Sequence, residues 1–182
     1  ITVDKNIQLY KLRLKSAPEI YECIDHSRDF LKEWLPWVEN TRSVKDTENF
    51  IRSVRVRKSP MAELVFEVRM NKKVAGLIGL KDIDLVNNKA EIGYWLTREA
   101  TGKGIMIRSC KALIDHAFGE LELNKIWIRC AVENLRSCNI PKQLGFTFEG
   151  IERHGEKLYG RYIDLKVYSL LRREWKKNGG RS

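Results

Sequence analysis

Apolar and polar residues alternate from Ile7 to Leu14 in IQLYKLRL, which predicts a first strand with one face turned inward. In the segment SAPE that follows, Ser16 precedes Glu19 by three residues, a capping box that predicts a helix through about His26. FLKEWLPWVEN breaks at Pro36, and SVKD from Ser43 to Asp46 marks a second helix start, with the helix running to about Lys58. ELVFEVRM and KVAGLIGLKDI are β-rich runs joined at Asn71 and Lys72, the pattern of an antiparallel hairpin. AEIGYWL continues this meander after a turn around Val86 to Lys89. Cys110, Leu113, Ile114 and Ala117 then fall at helical spacing and predict one buried helix face, ending near Gly119.

KIWIRCAV reads as the next strand, and SCNIPKQLG as a short helix closed by Gly145 in a left-handed cap. FTFEGIERH and RYIDLKVYSLL finish the chain as two strands joined through Lys157 to Gly160. The order βααβββαβαββ, with no repeat, low-complexity tract or linker, predicts one α+β domain spanning residues 1–182. The strand–helix–strand unit at 91–131 requires a parallel pair inside a largely antiparallel sheet.

Composition narrows the function classes. A chain of 182 residues with 43% hydrophobic and 32% charged side chains is long enough for one well-buried core. No apolar run reaches the ~18 residues of a membrane span, and ITVDKNIQLY lacks a secretory pattern, so a cytoplasmic location is expected. Cys23, Cys110, Cys130 and Cys138 include no CxxC pair, and His26, His116 and His154 are scattered, so neither a disulfide framework nor a metal is expected. The net charge of +10 would attract a polyanion, an acidic protein or a phosphate-bearing cofactor. The densest cluster, Arg52, Arg55, Arg57 and Lys58, has no interleaved aromatic platform, which favours a solvated helix face over a nucleic-acid patch.

The chemistry concentrates in EIGYWLTREATGKGIM, residues 91–106. A Walker loop needs glycine five residues before its GK and Ser or Thr after it, where this chain has Thr97 and Gly104. A dinucleotide fingerprint needs a third glycine, where this chain has Ile107. What remains is a strand, a basic glycine-bearing loop and a helix N-terminus, suited to a pyrophosphate or simply to a tight turn.

AEIGYWL, TGKGIM, AVENLRS and KQLGFTFEG, at these separations and in this element order, together resemble the GNAT family of N-acetyltransferases. FLKEWLPWVEN and DLKVYSLLRREW make the resemblance closest to the branch that acetylates the N-termini of ribosomal proteins. It runs from about Ile7 to Trp175. It implies a central, mostly antiparallel sheet of about seven strands flanked by four helices, with the fourth and fifth strands splayed apart around acetyl-CoA. It also implies that main-chain groups of Tyr94, Trp95 and Leu96 hold the pantetheine arm, and that amides of Gly102, Lys103, Gly104, Ile105 and Met106 hold the pyrophosphate. Thr101 and Met106 depart from the family's usual Arg or Gln and Gly or Ala, and Met106 is expected to crowd the phosphates.

Acetyl transfer to an amine needs a neutral amine and a protonated or solvated leaving thiolate. An α-amino group, with pKa near 7.7 to 8, asks less of a base than a lysine near 10.4. The resemblance implies two candidate bases, Glu156 in RHGEKL and Glu91 at the start of the fourth strand, with water alone as the third option. It implies that Asn134 contacts the cofactor and that Ser137 lies near the sulfur as the candidate acid, since Pro141 occupies the position where many relatives place a tyrosine. Ser137 also reads as a helix cap. Cys138 offers a nucleophilic thiol, but no His or Asp partner is identifiable beside it. Trp34, Trp37 and Tyr159 are candidate acceptor-binding residues, the tryptophans reading equally well as core.

These readings converge on an acetyl-CoA-dependent N-acetyltransferase acting directly on a protein N-terminus. A small-molecule amine such as a polyamine or amino sugar, a basic nucleic-acid-binding module, and a fold that keeps CoA without catalysis stay open beside it. No membrane partner is expected, and a homodimer is the expected assembly.

Overall fold

The computed structural model describes residues 1–56 and 62–177. The seven strands are β1 (Ile7–Lys11), β2 (Ala62–Met70), β3 (Lys73–Asp84), β4 (Lys89–Leu96), β5 (Lys125–Ala131), β6 (Thr147–Leu158) and β7 (Arg161–Leu171). They form one sheet in the order β1-β2-β3-β4-β5-β7-β6. Only β4 and β5 run parallel, and the helix that connects them explains why. That helix is α4 (Ile105–Gly119); the others are α1 (Ala17–His26), α2 (Arg28–Leu31), α3 (Val44–Val56), α5 (Leu135–Gln143) and α6 (Arg172–Lys177). The predicted four helices are α1, α3, α4 and α5; α2 and α6 are short additions.

Adjacent residues of β3 show how the sheet divides its two faces. Leu77 joins Ile20, Ile24, Ile51 and Trp95 beneath α1 and α3. Ile78 and Leu80 join Cys110, Leu113, Ile114 and Ala117 of α4 on the other face. The helical spacing of those α4 residues is therefore the spacing of one packed stripe, each fully buried aliphatic side chain contributing about 1.5–3 kcal/mol.

Several local readings change. The first strand ends at Lys11, not Leu14. Helix α1 starts after Ser16 as predicted, yet the Ser16 side chain makes no capping bond. Glu19 is occupied elsewhere, accepting from the amide of Val74 at 2.8 Å and pairing with Arg69 at 2.7 Å. Arg69 also neutralises the fully buried Glu67 at 2.7 Å, so α1 supplies part of a buried ion network instead of a capping box. At α3 the predicted start does form its local bonds, Ser43 Oγ accepting from the Asp46 amide and donating to its carboxylate. Arg52 pairs along this helix with Glu48, a solvated contact, while Arg57 and Lys58 of the basic cluster lie outside the described residues.

The β2–β3 turn is legible down to its backbone: Asn71 and Lys72 both adopt positive φ, 50° and 70°, the two-residue turn that matches strand twist. Tyr159 and Gly160 repeat the device between β6 and β7. Helix α6 follows the last predicted strand directly and was not predicted. Trp175 anchors it, 4% exposed, donating from Nε1 to Asp115 of α4 at 2.7 Å.

Candidate active site

The parallel pairing of β4 and β5 covers only Lys89↔Lys125, Ala90↔Ile126 and Glu91↔Trp127. Beyond Glu91 the strands part, while β4 stays paired to β3 as far as Leu96. The edge of Ile92–Leu96 that faces β5 therefore has main-chain groups without a strand partner, which buried backbone does not tolerate unless a ligand or water satisfies them. A cavity of about 1050 Å³ opens there, lined by Tyr94, Trp95 and Leu96 and by the loop that leads into α4.

That loop is built for an anion. Gly104 is the N-cap of α4, at φ 65°, and no side chain caps the helix. The first bond into the helix runs from the Arg108 amide to the Gly104 carbonyl, so the amides before it lack helical acceptors. Gly102 sits at φ 74° with open space where a Cβ would be. Ile105 and Met106 pack their side chains into the core, 1% and 5% exposed, although both also line the cavity. Thr101 is held by its own turn, its hydroxyl donating to the Arg98 carbonyl at 2.7 Å. Gly102, Gly104, Ile105, Met106 and Thr101 line the cavity; Lys103 is exposed beside it. Unpaired strand edge and unpaired helix amides in one cavity fit an extended arm ending in phosphates.

The two glutamates meet different surroundings. Glu91 is 2% exposed and locked: Lys81 lies at 3.0 Å, the Arg129 guanidinium at 2.8 Å, and Trp127 Nε1 donates to it at 3.2 Å. Lys81 stands directly opposite it in the β3–β4 register, so half of this cluster follows from strand pairing alone. Glu156 also lines the cavity, and its carboxyl has no hydrogen bond or ion pair among the described residues. Burial pushes its carboxyl above the ordinary value of 4.5, while the charges of Lys81 and Arg129 pull back and Glu91 adds to the rise. A register shift between Glu152 and Glu156 on β6 turns this carboxylate inward.

Asn134 caps α5, its side chain accepting from the Ser137 amide at 3.1 Å. The cap role is thus filled, and Ser137 Oγ bonds Tyr94 Oη at 3.1 Å. Tyr94 also donates to the Ser137 carbonyl at 3.2 Å, and burial holds the phenol well above its ordinary value, so it stays protonated. The sequence named Tyr94 only for its main chain; its ring bridges the splay from β4 to α5. Cys138 is buried, with Sγ 3.1 Å from Cys130 Sγ and 3.4 Å from the Ala131 carbonyl. Neither Cys138 nor any histidine is among the cavity-lining residues, so nothing there supports a thiol nucleophile.

Trp34 lines the cavity with Leu35 and Glu33. Trp37 instead packs on Trp95, ring centroids 6.0 Å apart, supporting β4 from beneath without reaching the cavity wall. Tyr159 is likewise off the wall and donates to the Leu35 carbonyl at 3.1 Å, pinning the β6–β7 turn to the Trp34–Leu35 segment.

An acetyltransferase (GNAT) domain profile matches residues 6–147. The chain belongs to the GNAT family of acetyltransferases. YdaF of Bacillus subtilis, provisionally named for ribosomal N-acetylation, is 39% identical over 175 residues, 95% of each chain. The ribosomal-protein-serine acetyltransferase of Escherichia coli is 28% identical over 172 residues, 94% of this chain and 96% of that one. A microcin self-immunity acetyltransferase, solved with acetyl-CoA and AMP, superposes with a TM-score of 0.89 at 29% identity, covering 94% of this chain and 95% of its own. This GNAT enzyme is accordingly an N-acetyltransferase that uses acetyl-CoA, and the cavity with its unpaired amides is the place that fits it. Phe30, Lys81, Arg129 and Arg136 also line that cavity and were absent from the sequence reading; only Lys81 left a signal there, through its register with Glu91.

Proposed function

We propose that this acetyltransferase transfers acetyl to the α-amino group of a protein N-terminus, with ribosomal proteins as the favoured acceptors, and that Glu156 is its general base. Acetyl-CoA supplies the acetyl group as a thioester. The observation that carries the reading is Glu156: a cavity carboxylate with no hydrogen bond or ion pair among the described residues, raised by burial and steadied by cations that Glu91 holds nearby. A base so tuned suits an amine with pKa near 7.7 to 8 better than one near 10.4. The likeness to the Escherichia coli enzyme over nearly the whole of both chains supports the acceptor class.

Trp34 and Leu35 form the apolar wall at which the terminal residue would rest, and Tyr159 sets the position of that wall. Ser137 donates its hydroxyl proton toward the thiolate as negative charge develops on it, and Tyr94, whose own proton goes to the Ser137 carbonyl, positions that hydroxyl. Glu91 is a positioning residue that fixes Lys81 and Arg129. The test is an acceptor panel of N-terminal peptides, ribosomal ones included, against polyamines and amino sugars, read by mass spectrometry. Acetyl carried at the peptide α-amine supports the proposal, and turnover confined to polyamines or sugars would overturn it.

A further inference from the structure

Phe30 of α2 stands where three chain segments meet at the cavity. The Arg98 guanidinium, from the turn after β4, lies 5.2 Å from its ring centroid. The Arg136 guanidinium, from the first turn of α5, lies 5.9 Å from the same centroid. Phe30 and Arg136 both line the cavity. Arg98 belongs to the turn that also holds Thr101, through bonds from the Thr101 amide and hydroxyl to its carbonyl. One ring therefore gathers cations from both sides of the splay.

Neither arginine has a carboxylate at ion-pair distance among the described residues: the Asp29 carboxylate that feels Arg98 is paired with Lys32 at 2.6 Å, whereas Arg108 nearby on α4 is itself neutralised by Asp4 at 3.0 Å. Two like charges drawn to one ring repel one another even through solvent, and no anion is paired directly with either guanidinium among the described residues. The planar, forked guanidinium is the side chain best matched to phosphate oxygens. The loop amides at Gly102–Met106 already offer one phosphate cradle, a few residues from Arg98.

We propose that Arg98 and Arg136, arrayed on Phe30, form a second phosphate-binding element that closes across the cleft onto the phosphates of acetyl-CoA. It rests on the use of acetyl-CoA and is independent of the acceptor and of Glu156. Phe30 is a positioning residue, holding the guanidiniums with its ring face, so an aromatic replacement preserves the element and an aliphatic one of similar bulk does not.

The experiment is calorimetric titration of the whole protein with acetyl-CoA, 3′-dephospho-acetyl-CoA and S-acetylpantetheine, on wild type and on Arg98→Gln, Arg136→Gln, Phe30→Leu and Phe30→Tyr. Each Arg→Gln variant and Phe30→Leu should weaken acetyl-CoA by about tenfold, and Phe30→Tyr by much less. Binding of S-acetylpantetheine should be unchanged. A loss that persists with 3′-dephospho-acetyl-CoA assigns the pyrophosphate, and one that disappears with it assigns the 3′-phosphate. Arginine variants that bind acetyl-CoA like wild type, or that lose S-acetylpantetheine equally, would overturn the proposal. Wild type that fails to bind acetyl-CoA at all would instead strike at the donor assignment.

Discussion

Glu91 and Glu156 share a cavity and differ in everything that decides what a carboxylate does. Glu156→Gln should lower turnover by about 10²-fold or more, the range of a lost general base, and should remove the acidic limb of the kcat/KM profile. That limb should lie above the ordinary glutamate value of 4.5, because burial raises the group. The same shift fixes the sign of its effect on stability. A folded-state value above the unfolded one, near 4.5, means stability present below that unfolded value and lost as pH rises through the folded one. Thermal melts at pH 7 should therefore show Glu156→Gln no less stable than wild type, which separates lost chemistry from lost folding. Glu91→Gln should behave the other way. It leaves Lys81 and Arg129 without their shared carboxylate, and we expect a cost of about 2–3 kcal/mol in denaturant unfolding. That is below the ~3–5 kcal/mol of a fully buried pair because both cations keep partial contact with water. Ser137→Ala should slow turnover while leaving acetyl-CoA affinity largely intact, and Tyr94→Phe should slow it similarly by breaking the hydroxyl pair; unchanged kcat in both would remove them from the chemistry.

At the scale of elements, the strands and the long helices were legible because their signals are local. Alternation marked β1, the Asn71–Lys72 pair marked a hairpin, and one stripe of apolar residues marked α4. The failures share one cause, which is that a side chain's partner lies far along the chain. Glu19 was read as a capping residue three positions from Ser16, and it serves Arg69 and Val74 some fifty residues away. Trp37 was left open between the acceptor cleft and the core, and its contact with Trp95 is what places it in the core. The cavity's cations escaped notice because Lys81, Arg129 and Arg136 come together only once the splay exists. The pairing of β3 with the end of β4 makes one glycine sensitive: a Cβ at Gly76 would lie 2.1 Å from the Trp95 carbonyl oxygen, closer than any packing permits. Gly76→Ala must push the end of β4 away from β3 and into the cofactor cleft. We expect it to weaken acetyl-CoA binding strongly, at least tenfold by calorimetry, together with a lowered Tm. Retained affinity would mean that β4 does not carry the cofactor arm.

Across the whole molecule, the sheet has a weak seam by design of its topology. Every neighbouring strand pair is antiparallel except β4 and β5, and that pair is joined by three register positions before it opens. The two halves are also linked through α4, through the bonds of Glu91 to Trp127 and Arg129, through the Tyr94–Ser137 hydroxyl pair and through the Tyr159–Leu35 bond. A ligand lying in the splay would add main-chain bonds along Ile92–Leu96 and to the loop before α4, and so would act as an extra strand in the seam. Stabilisation by mass action follows, about 2.7 kcal/mol when free acetyl-CoA is at 100 times its Kd. Hydrogen exchange resolves where that stabilisation falls. With saturating acetyl-CoA, amides of Gly102–Ile107 and of the β5-facing edge of β4 should exchange more slowly by at least tenfold, while the β1–β2 and β6–β7 pairs change little. Uniform slowing over the sheet would point to global stabilisation without seam closure, and no slowing at Gly102–Ile107 would place the cofactor elsewhere.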